Sequence, residues 1–351
     1  DIEISAKRYL QDALSAMALG LFGSLLIGVI FDTLGTQTAN LFGDNAVSAF
    51  CVEIGGIAKT YMGAAIGVAV AWSLKAPPLV LFTSVVTGMM GATMTGFGID
   101  VAGGPAGAFV AVALGAEFGK MVSKETKVDI LVTPAVTLIM GGIGAKLIGP
   151  AIGWCMLKLG DLIMTATEWQ PFVFGIVISV VVGLALTAPI SSAALCIMLD
   201  LSGLAAGAAT VGCCAQMVGF AVASYKENGV GGLVAQGLGT SMLQISNIIK
   251  NPWILLPATL AGAIVGPIST CLLKMTNIPV GAGMGTSGLV GPIGVITGWA
   301  QMPEGYTPGA FDWVGMILIC FVLPLLITWV IGKIFRAKGI IKPGDLKIDL
   351  G

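Results

Sequence analysis

Leu74-Lys75-Ala76-Pro77, followed by apolar segments and closed by Pro134-Ala135 and Gly149-Pro150, is the stretch whose reading decides the fold. A second version opens at Leu186-Thr187-Ala188-Pro189 and closes at Pro252 and Gly266-Pro267. The segments ahead of the two openings, Gly63 to Trp72 and Gly175 to Leu184, are also alike in their Ala, Gly, Val and Ile content. The middles align poorly: Ala106-Gly107 can be set against Ala206-Gly207 or against Val230-Gly231. The ends predict an internal repeat, with halves at roughly 60–152 and 171–268. The competing account is chance similarity between membrane segments rich in Ala, Gly and Pro. A duplicated apolar bundle is one way to build a polar site between two halves of a membrane protein.

Composition sets the class. The chain has 351 residues, 56% hydrophobic and 10% charged, with mean hydropathy +0.97. A soluble chain carries about 25% charged residues. Glycine, at 51 residues, lets apolar helices approach closely where lipid offers no hydrophobic drive for association. Net charge −1 gives no footprint for nucleic acid. Histidine is absent, which removes the commonest metal ligand and the usual near-neutral proton carrier. The seven cysteines are scattered and form no Cys-x-x-Cys, so zinc and thiol-exchange chemistry are not expected. No metal, cofactor or catalytic residue is expected; a His-Glu-x-x-His zinc motif and a histidine triad are both ruled out.

The expected fold is an all-α polytopic membrane protein with about 10–12 membrane segments, some broken or re-entrant. After an amphipathic lead-in from Asp1 to Tyr9, Ala13 to Phe31 carries no charge and is long enough to cross hydrocarbon. Asp32 to Lys59 is polar enough to predict a loop and an interfacial or broken helix. Lys75-Ala76-Pro77-Pro78 separates the next two apolar runs. Ile130 to Pro150 reads as one span, and Trp154 to Glu168 as a separate amphipathic segment along the interface. Pro189 splits the uncharged run from Trp169 to Leu199, and Asn251 to Leu273 closes the second copy. A Gly-rich re-entrant segment and a final helix occupy 276–335. The densest positive charge lies at Lys120, Lys124 and Lys127 and in the tail from Lys333 to Lys347. Both regions, and Lys7-Arg8, are expected on the cytoplasmic face, with both termini inside and an even number of crossings.

Three features could bind a polar solute. The first is Gly281-Ala282-Gly283-Met284-Gly285-Thr286-Ser287-Gly288-Leu289-Val290-Gly291-Pro292, too rich in glycine for a lipid-exposed helix. Its apolar flanks predict a re-entrant tip. Gly285 would direct the Thr286 and Ser287 hydroxyls, and backbone N–H groups would face the solute. The alternative is an extramembrane glycine loop. The second is a row of neutral side chains, Gln236, Thr240, Gln244 and Asn247, spaced to lie on roughly one side of a helix. Such a row suits an uncharged polyol; each member alone could equally be an interhelical hydrogen bond. The third is Glu117, an intramembrane carboxylate that is functional by default yet has Lys120 at i+3 to neutralise it.

Ala16-Met17-Ala18-Leu19-Gly20-Leu21-Phe22-Gly23, Gly115-Ala116-Glu117-Phe118-Gly119-Lys120, Gln236 to Gln244 and Gly283-Met284-Gly285-Thr286-Ser287-Gly288, taken in order, resemble a bacterial family. It is classed with the membrane-embedded IIC components of sugar phosphotransferase systems, and it includes proteins named as regulators of a secreted toxin. The resemblance runs over nearly the whole chain, 1–351, as one transmembrane domain. It implies a multi-pass permease of the bacterial cytoplasmic membrane, homodimeric, for a small polar solute such as a sugar or a related compound. It also implies separate phosphotransferase A and B proteins as partners, with catalysis only through such a B component. The chain departs from better-known IIC proteins in lacking histidine, a linked B domain and a glucose-type sugar-binding Glu motif, which puts coupling to phosphate transfer in question. The alternative from another class is a ligand-sensing membrane regulator without net transport.

Overall fold

Runs without charge become helices because backbone groups in an apolar medium must be satisfied within the segment. The computed structural model describes residues 7–96, 98–188, 192–300, 302 and 306–348. Asp1 to Ala6 of the lead-in and Pro189, expected to open a second copy, lie outside these. Among the described residues, six helices are long and apolar enough to cross a membrane, or seven if the bent pair Ala46–Thr60 and Met62–Ser73 is one span. Shorter apolar helices are Pro78–Thr93, Pro171–Thr187 and Ser287–Trp299. Chain contacts divide the protein into two units, Asp1–Leu159 with Ile197–Leu199, and Gly160–Cys196 with Asp200–Gly351.

In the first unit, helix Ile27–Phe42 packs against helix Ala46–Thr60. The stretch expected to be a loop with a broken helix is thus a helical hairpin. Its turn is set by Asn45, whose side-chain oxygen accepts from the Val47 and Ser48 N–H groups at 3.0 and 2.9 Å, while Ser48 Oγ accepts from the Asn45 N–H at 3.1 Å. This reciprocal cap satisfies donors that a helix start leaves unpaired. Lys59 and Asp32 form an ion pair at 2.6 Å across the hairpin, so charges that suggested a loop neutralise each other between helices. The next helix departs at Tyr61 with a 51° bend. Helices Met62–Ser73, Pro78–Thr93, Gly104–Val122 and Asp129–Ile143 then pack in sequence. Gly67 faces the Ser84 carbonyl so closely that a Cβ would overlap it, which is why glycine stands there. A small antiparallel hairpin, Thr95–Gly96 with Ile99–Ala102, precedes helix Gly104–Val122.

The span and the interfacial segment expected after Lys127 are one continuous helix, Asp129–Trp169, of 41 residues. At 1.5 Å per residue it measures about 60 Å, twice the hydrocarbon thickness of roughly 30 Å. One crossing accommodates only about half of it. Gly149 and Pro150, expected to close a span, stand just after a wide turn, Gly144–Ile148, and the helix continues through them.

The second unit is built around helix Gly203–Ala223, nearly all of whose 21 residues are buried. A helix apolar on every side belongs at the centre of a bundle. Helices Pro171–Thr187, Leu256–Pro267 and Leu323–Ala337 surround it. Val211, Ala215, Val265, Met275, Val295 and Ile319 form part of the core. After helix Leu323–Ala337 the tail folds back, burying Ile341 and Leu346 against Phe220, Ile254 and Ala258.

Candidate functional site

Two interrupted segments of the second unit meet. The first begins with a break at Gly229 (φ +60°). It continues through a wide turn, Ala235–Gly239, an extended Thr240 (φ −157°, ψ +140°) and a tight turn, Ser241–Gln244. The second follows the short helix Pro279–Ala282 and carries Gly285 (φ +54°) and Gly288 (φ +52°). The Thr286 hydroxyl donates to the Gly237 carbonyl at 2.5 Å and the Ser287 hydroxyl to the Gly239 carbonyl at 2.9 Å. Val280 to Thr286 is buried, whereas Gly288 and Leu289 are exposed. The glycine-rich segment is therefore packed into its unit up to its tip.

Asn277, which sequence reasoning did not single out, organises that segment. Its amide nitrogen donates to Thr210 Oγ1 at 2.7 Å and to the Gly291 carbonyl at 3.0 Å, and its oxygen accepts from the Ile278 N–H at 2.7 Å. One buried side chain thus ties the entry of the loop to its exit and to the central helix. Its position just before Ile278-Pro279 was the only sequence signal, since Asn readily replaces backbone partners in turns. Ser192 Oγ also donates to the Gly283 carbonyl at 2.7 Å. Thr187 and Ser241 hydroxyls lie 2.9 Å apart, Thr187 lies 3.3 Å from Gln216 Oε1, and Gln216 donates to Thr259 at 3.0 Å. This polar chain leads from the core to the start of the Ser241–Gln244 turn.

The amide row does come together. Gln244 Nε2 donates to Gln236 Oε1 at 2.8 Å, and Asn247 Nδ2 donates to Gln244 Oε1 at 2.8 Å. All three side chains are buried, and their remaining donors are engaged within the protein. Gln236 donates to Ser224 Oγ and the Gly232 carbonyl, Gln244 to the Leu346 carbonyl, and Asn247 to the Lys347 carbonyl. Asn228 holds the same tail from two sides, donating to the Leu346 carbonyl and accepting from the Ile348 N–H. Thr240 caps the turn beside the row, its hydroxyl accepting from the Met242 N–H at 3.1 Å.

Glu117 belongs to the first unit. It pairs with Lys120 at 2.8 Å, as the i+3 spacing implied, and also with Arg8 at 2.9 Å. Both cations donate to the Leu74 carbonyl, Lys120 at 3.0 Å and Arg8 at 3.2 Å. They thereby serve the carbonyl end of helix Met62–Ser73, where positive charge is favoured.

Apolar spans with interrupted, internally bonded segments define a polytopic helical membrane protein. The chain belongs to the phosphotransferase-system EIIC family: the family model described as "Phosphotransferase system, EIIC" matches residues 11–348. An EIIC domain is the transporter component of such a system and not a catalytic one. No curated protein matches the sequence.

Proposed function

We propose that the chain is a permease for a small polar solute, a sugar or related compound, with its binding site at the two interrupted segments of the second unit. The observation that carries this reading is the meeting of Thr286 and Ser287 with the Gly237 and Gly239 carbonyls in a member of the EIIC family. Breaks in helices leave backbone donors and acceptors for a solute, and membrane proteins tolerate them only in protein or beside water. Thr240 and Ser287 are the residues proposed to face solute, with Gly285 and Thr286 buried beneath them and fixing the tip. Gln236, Gln244 and Asn247 support them from behind, and Glu117 acts in the first unit. Separate phosphotransferase A and B proteins are the proposed partners, the chain is proposed to act as a homodimer, and the bacterial cytoplasmic membrane is the proposed location.

The test is uptake of radiolabelled hexoses, pentoses and polyols into proteoliposomes, with Thr240→Val and Ser287→Ala as variants. Saturable counterflow of one solute, weakened in both variants, is expected. Counterflow unaffected by either variant removes the site from this place. Uptake in cells that survives loss of the phosphorelay but stops with an uncoupler would assign ion coupling instead.

One observation favours a second reading, a ligand-sensing regulator. The tail's carbonyls are held by Asn228, Gln244 and Asn247, so a change in the interrupted segment would reach the tail directly. Saturable binding without counterflow would select it.

A further inference from the structure

Helix Leu323–Ala337 and the chain around Val222 to Leu233 enclose a groove of about 500 Å³ within the second unit. That volume lies within the range of ligand pockets, about 300–1,000 Å³. Its walls are apolar and open to the outside: Leu325, Leu326, Trp329 and Leu233 are exposed along it. Its rim is cationic, formed by Lys226, Lys333 and Arg336. Glu227 and the Ala223 carbonyl take up Arg336, at 2.8 and 2.9 Å. Among the described residues, Lys226 and Lys333 have no carboxylate partner. Lys333 instead holds its ammonium 3.7 Å from the centre of the Trp329 ring.

One further observation points to an absent occupant. Gly332 is buried, yet a Cβ there would meet nothing within 4 Å, so empty space lies beside it.

We propose that this groove binds an anionic phospholipid. The acyl chain would lie along Leu325, Leu326 and Trp329 and fill the space beside Gly332, and the phosphate would meet Lys226 and Lys333. Apolar walls with charge at one end do not suit a sugar, which needs polar partners all round. A zwitterionic lipid would leave two ammonium groups facing a choline. A lipid that carries net negative charge complements both ends of the groove. Aromatic Trp329 and Tyr225 beside the lysines fit the boundary between headgroups and hydrocarbon.

The test uses the full chain in phosphatidylcholine vesicles that carry either dibrominated phosphatidylglycerol or, at the same mole fraction, dibrominated phosphatidylcholine. Bromine quenches nearby tryptophan. Each variant is normalised to its own fluorescence in unbrominated vesicles. Stronger quenching by the phosphatidylglycerol is expected, and the excess should vanish in Trp329→Phe. Lys226→Gln and Lys333→Gln should each lower apparent affinity for the anionic lipid about fivefold. Gly332→Leu, whose side chain would enter the empty space, should abolish the excess. Should that variant fail to fold, the two lysine variants still decide. Equal quenching by both lipids, or an excess that survives Gly332→Leu and both lysine changes, would mean ordinary annular lipid and overturn the site. Quenching that falls with dimer formation, and returns on dilution to monomer, would make a second copy the occupant and overturn it too. Solute uptake is not part of the readout, so the permease reading stands or falls separately.

Discussion

Gly285 and Gly288 share a positive φ but not a neighbourhood. A Cβ on Gly285 would lie 2.6 Å from the Cys213 carbonyl carbon and 2.8 Å from its Cβ, on a central helix with little room to yield. A Cβ on Gly288 would meet only Val290, at 3.7 Å. The left-handed conformation alone costs a side chain about 1–2 kcal/mol. Gly288→Ala should lose about that much stability. Gly285→Ala should lose about 2–5 kcal/mol, because overpacking adds about 1–3. Thermal unfolding in detergent measures both, and equal losses would contradict the packing at Cys213. The sequence marks the two glycines alike, since the contact with Cys213 joins segments remote in the chain. At Glu117, Lys120 was legible from its spacing and Arg8 was not. Glu117→Gln would take away the carboxylate that Lys120 and Arg8 share beside the Leu74 carbonyl. A stability loss of about 1–3 kcal/mol is expected, below the cost for a fully buried pair because these side chains are slightly exposed. Unchanged stability with transport lost would instead make Glu117 a proton carrier.

At the scale of elements, the amide row met its expected neighbours by a different geometry. Gln236 and Gln244 were placed together by helical spacing, but the chain between them is extended at Thr240 and turns sharply on either side. They touch because the segment is broken. The tail carbonyls that complete the row could not be read, since Leu346 is remote in sequence and backbone groups carry no residue code. Gln244→Leu would leave Gln236 Oε1 and the Leu346 carbonyl without this donor. It should lower stability by about 1–3 kcal/mol while solute affinity changes little; the opposite pattern would bring Gln244 into the solute site.

The tail is also expected to respond to acid. The Lys342 N–H at 2.8 Å, with help from Asn251 Nδ2 at 2.7 Å, holds the Asp345 carboxyl below the usual carboxylate range. A depressed carboxyl contributes its stabilisation in full above its unfolded value, about 3.9, and loses it as pH falls through the folded value. Amide exchange in 338–348 should therefore accelerate as pH drops below about 4, after correction for intrinsic exchange, and Asp345→Asn should remove most of that change. A pH response identical in the variant would detach the tail from Asp345.

For the whole molecule, the charge-free runs located the helices, and what they did not reveal was which runs join. Asp129–Trp169 joins two expected segments through Pro150, which stands just after a wide turn, and Asp32 and Lys59 look like loop residues until they pair. Orientation across the membrane rests on charge alone. Lys120, Lys124 and Lys127 cluster between two spans, and Lys333 to Lys347 crowd the tail. Crossing with such clusters is disfavoured, so both are expected on the cytoplasmic face. Lys124 is the better reporter. It is exposed, lies outside the flanking helices and donates its backbone N–H to Asp129 at 2.7 Å. Lys124→Cys would keep that bond, although the positive φ of +65° costs any non-glycine residue alike. Cys155 and Cys271 are exposed and must first become serine, or they would report their own positions. In intact cells an impermeant maleimide should then leave position 124 unlabelled, and Lys338→Cys likewise. Both should react after the membrane is opened. Labelling at 124 before opening would reverse the orientation of that loop, and labelling at only one of the two positions would require an odd number of crossings between them.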